Sequence, residues 1–267
     1  MILTFGSLAV LSSMIFPGLI FKKKFFEKEK FLNFLPFIFA TSLIINWIII
    51  FTLTSINFYI SYILYFIIIT EVSLLLYYYA KSFNPKVTIK TNKEKITIFQ
   101  IINFLFVTIT FYVFYSNVGN IYTEYDAIVT YNGRWAGQWF ENSLPNNSGM
   151  YPQLLTSNMS LSNVLTKINT NEMQFFSYFL CLSFVPITSM VASYVARVTY
   201  DQRIYLANIL FLILLGFPDF TNVISQNGYM DIPVTCFTII AIGLFVAGWS
   251  MTKKDDIYAM KLIVLSI

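Results

Sequence analysis

Seven apolar runs of about twenty residues, and the start of an eighth, divide this 267-residue sequence. An α-helix needs about 20 mostly apolar residues to cross the hydrocarbon core of a bilayer, and each complete run is that long. The runs cover residues 1–21, 31–54, 58–80, 97–118, 172–196, 204–224, 232–251 and 257 onward. They predict an all-α integral membrane protein, a polytopic helical bundle that forms one transmembrane domain over residues 1–267.

The composition supports this class and excludes several others. Hydrophobic residues make up 57% of the chain and charged residues only 11%, whereas a soluble domain carries about a quarter charged residues. The absence of histidine excludes Ser-His-Asp and Cys-His catalysis and histidine-ligated metals. Cys181 and Cys236 both lie in apolar runs, which argues against a disulfide framework. The net charge of +4 follows the membrane topology and predicts no nucleic-acid partner.

The basic residues predict how the chain crosses the membrane. They cluster in the connections after the first, third, fifth and seventh runs, at Lys22, Lys23, Lys24, Lys28, Lys30, Lys81, Lys86, Lys90, Lys93, Lys95, Arg197, Arg203, Lys253 and Lys254. Only Arg134 and Lys167 fall in the other connections. Because basic loops stay in the cytoplasm, we expect the N-terminus and the long connection 119–171 to lie outside a bacterial inner or plasma membrane.

The long connection, here called the outer loop (residues 119–171), is rich in aromatic residues. They are Tyr122, Tyr125, Tyr131, Trp135, Trp139, Phe140 and Tyr151, a composition typical of segments at the membrane interface. Between Asp126 and Phe140 the apolar residues recur at three- and four-residue steps, which predicts a short helix lying in the membrane plane. Trp135 and Trp139 would share its apolar face.

Four carboxylates are expected near the outer membrane face, although separate spans carry them: Glu124, Asp126, Asp219 and Asp231. Each has a structural explanation, because an acidic residue caps a helix N-terminus and interacts well with the helix dipole. A shared functional site explains all four at once, since acidic groups at membrane depth are costly unless they are paired or used.

Two further charged residues have alternative interpretations. The planar guanidinium of Arg134 suits two-pronged contact with a phosphate, but an arginine at this position also anchors a loop to lipid headgroups. Glu71 lies halfway along the third run, where a carboxylate needs a partner or a cavity. It could serve a relay or a transport pathway, or it could be a buried helix contact that is protonated or bonded to a tyrosine.

Two motifs carry a resemblance to a known family. The first is Asp126-Ala127, Asn132, Trp135-Ala136 and Tyr151-Pro152-Gln153-Leu154, and the second is Gly228-Tyr229-Met230-Asp231-Ile232-Pro233. Together they resemble the GT-C-fold membrane glycosyltransferases, which include the protein mannosyltransferases and the aminoarabinose transferases of bacterial lipid A. The resemblance covers residues 98–250 as a GT-C-like core. The spans within residues 1–97 would be three additions at the N-terminus, and the family's C-terminal part would be missing.

The resemblance implies a sugar donor on a polyprenyl phosphate and transfer to a glycan, lipid or protein acceptor on the non-cytoplasmic side. Asp126 would be the catalytic base, and Asp231 would orient the acceptor or a metal ion. Arg134 is the only arginine expected outside and would neutralise the leaving phosphate. The alternative is Mg²⁺ or Mn²⁺ bound to Asp126 and Asp231. No cofactor is otherwise required. The remaining candidate substrate-binding residues are Glu124, Asn132, Trp135, Tyr151 and Tyr229.

Two other function classes remain open. A transporter or lipid flippase would explain Glu71 and the breaks that Pro186, Gly216 and Pro218 introduce into spans. A non-catalytic assembly partner, with the outer loop docking another protein, would explain the short chain. Carboxylates that cluster at the outer face would favour transfer, whereas a cluster around Glu71 would favour transport.

Overall fold

The protein is described by a computed structural model. The described residues are 5–27, 29–82, 96–117, 134–145, 153–166, 173–217, 231–252 and 255–267. Within some helices the backbone alone is described, notably at residues 173–182 and 231–233.

Ten α-helices make up the described part of the chain, which contains no strand. They are α1 (Phe5–Phe25), α2 (Phe31–Ser55), α3 (Ser61–Ser82), α4 (Ile98–Asn117), α5 (Gly137–Phe140), α6 (Leu154–Thr166), α7 (Met173–Thr199), α8 (Arg203–Leu215), α9 (Asp231–Met251) and α10 (Asp256–Ser266). This confirms the prediction of an all-α chain.

Each predicted apolar run overlaps a helix, but α8 ends at Leu215, well before the predicted end of the run 204–224, whose residues 218–224 lie outside the described part of the chain. Among the residues that the structure describes, four helices are long and apolar enough to cross a membrane, and they cover Phe5–Phe25, Phe31–Ser55, Ser61–Lys81 and Val234–Met251. The apolar stretches Ile98–Val113 in α4 and Arg203–Leu215 in α8 are shorter. The described residues are therefore those of a helical membrane protein.

Residues that adopt unusual backbone angles end two of the long helices. Asn57 follows α2 with φ of 57°, and Tyr200 follows α7 with φ of 60°. Asparagine tolerates this left-handed conformation well, whereas a bulky tyrosine adopts it at a cost. At the start of α10 the Asp255 carboxylate accepts the Tyr258 backbone N–H at 3.1 Å, which satisfies a donor that the first helical turn leaves open.

Helices α1 and α2 pack against each other at very short range around Gly18. A Cβ atom at this position would lie 1.9 Å from the carbonyl oxygen of Ile38, so only glycine allows the two backbones to approach this closely. The backbone N–H of Gly18 also donates to Ser42 Oγ at 2.8 Å. Small residues at such crossings are typical of membrane helices, whose association depends on close packing and interhelical hydrogen bonds.

Helix α6 lies at the centre of the bundle. It contacts α1, α2, α3, α5 and α7, and every residue from Leu155 to Leu165 is buried. Its apolar side chains join one hydrophobic cluster with residues of α1, α2, α3, α7, α9 and α10. A segment of the predicted outer loop thus lies among the helices that flank it in sequence.

Helices α4, α7 and α8 form a second group, which polar side chains connect. The Asn208 amide of α8 donates to Asn103 Oδ1 of α4 at 2.7 Å and to Ser189 Oγ of α7 at 3.0 Å. Helix α9 packs against α7 and α10 and also touches α2. The three N-terminal helices therefore meet the rest of the chain through α6, α7 and α9. The division into an addition over residues 1–97 and a core over residues 98–250 stays a prediction.

Candidate functional site

The described part of the outer loop begins with a helical segment that buries its tryptophans. A π-helical turn, Arg134–Ala136, leads into the four-residue helix α5. The helix ends before Asn142, whose φ is 61°, and asparagine is among the residues that accept this angle most readily. The predicted helix between Asp126 and Phe140 is thus present from Arg134 onward, and its earlier part lies outside the described residues.

The prediction that Trp135 and Trp139 present an apolar face to the membrane interface is wrong for Trp139. Its side chain is only 1% exposed and belongs to the hydrophobic core, and Trp135 is 7% exposed. The three- and four-residue spacing correctly placed both rings on one face of a helix. That face packs against protein, because α6 lies beside α5.

A hydrogen bond connects α5, which follows the Trp135-Ala136 part of the first motif, to the part that contains Gln153. Trp139 Nε1 donates to Gln153 Oε1 at 3.2 Å, and Thr156 Oγ1 donates to the same oxygen at 2.8 Å. Trp139 follows the Trp135-Ala136 segment, and Gln153 stands in the Tyr151-Pro152-Gln153-Leu154 segment. Trp139 and Gln153 are therefore in direct contact at the start of α6, although thirteen residues lie between them in the sequence.

The predicted site residues divide into three that the structure locates and five that it does not describe. Arg134 is exposed on the segment before α5, Trp135 is buried beside it, and Asp231 is the first residue of α9, with only its backbone described. Glu124, Asp126, Asn132, Tyr151 and Tyr229 lie outside the described residues. Asp231 therefore stands at the start of a helix, in agreement with the structural explanation that an acidic residue here interacts with the helix dipole.

The proposed metal ligands, Asp126 and Asp231, cannot be compared in space, because Asp126 and the Asp231 side chain are not described. Among the side chains that the structure does describe, no group of three or more acidic or cysteine residues is close enough to hold a metal ion. Binding of Mg²⁺ or Mn²⁺ by the two aspartates stays a prediction.

Helix α6 brings an unexpected number of polar side chains into the bundle. Thr156, Ser157, Asn158, Ser160, Ser162 and Asn163 are all buried. Asn158 Nδ2 donates to the Leu43 carbonyl of α2 at 3.0 Å. Ser160 Oγ and the Tyr59 hydroxyl are 2.8 Å apart, and the Tyr65 hydroxyl donates to the Leu165 carbonyl. Polar bonds thus hold α6 to α2 and α3.

Glu71 faces this polar interior from α3. Its side chain is 8% exposed, and its Oε2 atom has no hydrogen-bond partner in the described part of the structure. It lines a small cavity together with Ser13 of α1, Asn46 of α2 and apolar residues of α2, α3 and α6. The sequence analysis expected a partner or a cavity beside Glu71, and the structure contains the cavity. No hydrogen bond from a tyrosine to Glu71 is found among the described residues.

A second carboxylate, the half-buried Glu29, has a different environment. Its Oε1 accepts the Tyr258 hydroxyl at 2.5 Å and its Oε2 accepts Arg197 Nη2 at 3.3 Å. The guanidinium of Arg197 also lies 5.5 Å from the centre of the Tyr194 ring. These contacts join the α1–α2 connection to α7 and α10, and they satisfy both oxygens of the carboxylate.

Sequence reasoning identified Glu71 but missed the polar side chains of α6 that are buried in the bundle. The segment LLTSNMSLSNVLT contains a sequence signal, because serine, threonine and asparagine occur on all of its helical faces. Such a pattern is typical of a helix that is not exposed to lipid. Because this segment lies in a connection between predicted spans, its polar composition could not be distinguished from that of a solvated loop.

Comparison with known proteins identified no relative of this chain. The chain matches no protein-family model, no curated protein sequence and no solved structure.

Proposed function

We propose that the chain is a membrane glycosyltransferase that moves a sugar from a polyprenyl-phosphate donor to an acceptor on the non-cytoplasmic side. The proposal rests on the two motifs, which resemble those of the GT-C-fold transferases. The structural observation that supports it is the burial of α6, whose Asn158 Nδ2 donates to the Leu43 carbonyl of α2 at 3.0 Å. Part of the outer loop is therefore folded onto the bundle, as a site built from that loop requires.

In the proposed reaction an acceptor hydroxyl attacks the anomeric carbon of the donor sugar. Asp126 takes the hydroxyl proton, the bond between sugar and phosphate breaks, and polyprenyl phosphate leaves with the electron pair. A positioned base of this kind contributes typically 10²–10⁴-fold to the rate. Arg134, which is exposed beside α5, would stabilise the negative charge on the phosphate.

Asp231 would act from the first residue of α9. An N-terminal helical position supports the negative charge of a carboxylate through the helix dipole, and it suits either orientation of the acceptor or metal binding. If Mg²⁺ or Mn²⁺ binds there with Asp126, oxygen ligands of this type are the ones that such ions prefer. Glu124, Asn132, Trp135, Tyr151 and Tyr229 would contact donor or acceptor. We place the N-terminus and the outer loop outside the bacterial plasma membrane.

Transfer in proteoliposomes tests the proposal. The wild type and the Asp126→Asn variant receive a panel of radiolabelled polyprenyl-phosphate sugars together with membrane-derived acceptors. Wild type should move label to an acceptor, and Asp126→Asn should reduce the rate by about 10²–10⁴-fold, as expected for loss of a general base. Glu141→Gln is the control, because Glu141 is an exposed carboxylate of the same loop and has no proposed role.

Full transfer by Asp126→Asn would remove the base assignment. Absence of transfer from every donor, with folded and monodisperse protein, would contradict the transferase proposal itself.

A transporter or lipid flippase is the second candidate, and one specific observation favours it. Glu71 is buried within a candidate membrane span with an unpartnered oxygen, beside a helix rich in buried polar side chains. Ionisable groups in such positions often belong to ion or substrate pathways. A Glu71→Gln variant that transfers sugar at the wild-type rate would show that sugar transfer does not require Glu71. A protein with neither activity would instead fit a non-catalytic assembly partner.

A further inference from the structure

The cavity beside Glu71 has the dimensions of a site for one small ion. Its volume is about 10 Å³, which is near the lower limit for a single water-sized occupant. Four helices contribute to its walls, and the polar side chains among them are Ser13, Asn46 and Glu71. The other walls are apolar and come from α2, α3 and α6, so any polar occupant is held by these three side chains.

The carboxylate of Glu71 must be neutralised in this position, either by a proton or by a bound cation. It is 8% exposed, its Oε2 has no partner, and no basic side chain forms an ion pair with it among the described residues. Leaving an ionised carboxylate alone in such an interior is costly. The contrast with Glu29 is direct, because Arg197 and Tyr258 bond to both oxygens of that carboxylate.

The neutral polar side chains that line the cavity, Ser13 and Asn46, carry oxygen atoms of the kind that bind cations. Ser13 Oγ donates its hydrogen to the Val10 carbonyl at 2.7 Å, so its lone pairs are available to accept. Asn46 Nδ2 donates to the Ser13 carbonyl at 2.8 Å. This bond orients the amide and occupies its Nδ2 group, so the amide oxygen is the atom that would bind a cation. Carboxylate, hydroxyl and amide oxygens bind hard cations such as alkali and alkaline-earth ions.

We propose that this cavity binds one Na⁺, with Glu71 as its charged ligand and Ser13 and Asn46 as neutral ligands. A single carboxylate balances one positive charge, whereas a divalent ion prefers several. The small volume favours Na⁺ over the larger K⁺. The ion would connect α1, α2 and α3 at the position where they surround α6. This site is separate from the proposed sugar-transfer site and does not depend on transferase activity.

Thermal unfolding of the purified full chain tests the proposal. Melting temperatures are measured in detergent, in equal concentrations of sodium, lithium, potassium and choline chloride. A ligand that binds only the folded state stabilises it, so Na⁺ at a hundredfold excess over its dissociation constant should raise the melting temperature by about 5 °C relative to choline. Glu71→Gln, which keeps the side-chain shape, should lose this increase.

Glu27→Gln provides the matched control. Glu27 is an exposed carboxylate in the α1–α2 connection, and its hydrogen bond with Lys23 at 2.7 Å lowers its pKa, so it is ionised as Glu71 is proposed to be. This variant should keep the sodium response. Equal melting temperatures of the wild type in sodium and choline would overturn the proposal. So would a sodium response that survives in Glu71→Gln.

Direct binding keeps the proposal testable if Glu71→Gln does not fold. The wild type should bind radioactive ²²Na⁺ with a stoichiometry of one per chain, and unlabelled Na⁺ should displace it more effectively than K⁺. Ser13→Ala retains the carboxylate and removes one neutral ligand, so it should weaken binding without abolishing it. Absence of saturable ²²Na⁺ binding by the wild type would overturn the assignment.

Discussion

At the scale of single residues, the close contact between α1 and α2 depends on the absence of a side chain. Gly18 of α1 lies against the backbone of α2, and an added Cβ would come within 1.9 Å of the Ile38 carbonyl oxygen and 2.7 Å of Ser42 Oγ. The first of these atoms belongs to the backbone and cannot move independently. The crossing must therefore open if the residue becomes larger.

Gly18→Ala should destabilise the protein. Forced overpacking typically costs about 1–3 kcal/mol, and loss of the bond from the Gly18 N–H to Ser42 Oγ would add to this. We expect a lower melting temperature in detergent, measured by intrinsic fluorescence. Gly216→Ala is the control, since its added Cβ would meet its nearest atoms at 3.4 Å and 3.5 Å, which is ordinary contact. An equal melting temperature for Gly18→Ala and wild type would contradict the close crossing.

Two other residue assignments illustrate what the sequence could predict. Glu71 was recognisable at once, because a carboxylate in the middle of an apolar run is exceptional. Trp139 was assigned to the right helix face but to the wrong environment, since spacing shows which residues share a face and not what covers it. The identity of the covering element, here α6, depends on tertiary contacts that no local pattern contains.

At the scale of elements, the long helices were predictable and α6 was not. The predicted run 31–54 corresponds to Phe31–Ser55, and the run 232–251 corresponds to Asp231–Met251, because continuous hydropathy determines such spans. Helix α6 has no such signal. Its serines are acceptable in the interior because they bond to backbone carbonyls of α6 itself. Asn158 and Ser160 also bond to the Leu43 carbonyl of α2 and to the Tyr59 hydroxyl.

Asn158 should contribute more to stability than a neighbouring serine of the same helix. Its amide bonds to the Leu43 carbonyl of α2, whereas Ser157 Oγ bonds to the Leu154 carbonyl within α6. Asn158→Ala removes this interhelical bond and should cost about 0.6–2 kcal/mol, the range for polar bonds between membrane helices. Ser157→Ala should cost less. Unfolding in mixed micelles compares the two, and the reverse order would contradict the assigned role of Asn158.

At the scale of the whole molecule, the first three helices form part of the same hydrophobic cluster as the later ones. Residues of α1, α2 and α3 share this cluster with residues of α6, α7 and α9. The sequence predicted three spans before a GT-C-like core, but it contained no information on how closely they would pack with it. Helix α6 of the outer loop contacts these three N-terminal helices and also α7, so helices from before and after the loop surround it.

The orientation predicted from the basic residues can be tested on intact cells. In a background where Cys181 and Cys236 are replaced by serine, single cysteines are introduced as Glu27→Cys and Ser143→Cys, both at exposed positions. A membrane-impermeant maleimide should label Ser143→Cys from outside and should label Glu27→Cys only after the membrane is opened, because basic connections remain in the cytoplasm. The opposite labelling pattern would invert the topology.

The position of α6 has a consequence for the biogenesis of the protein. A helix of 13 residues with so many hydroxyl and amide groups cannot partition into lipid on its own, since its polar side chains would lack partners there. Helices α1 to α3 leave the ribosome before it, and α7 leaves after it. We therefore expect the flanking helices to be inserted first and α6 to dock between them afterwards, so that assembly ends with the segment that occupies the centre.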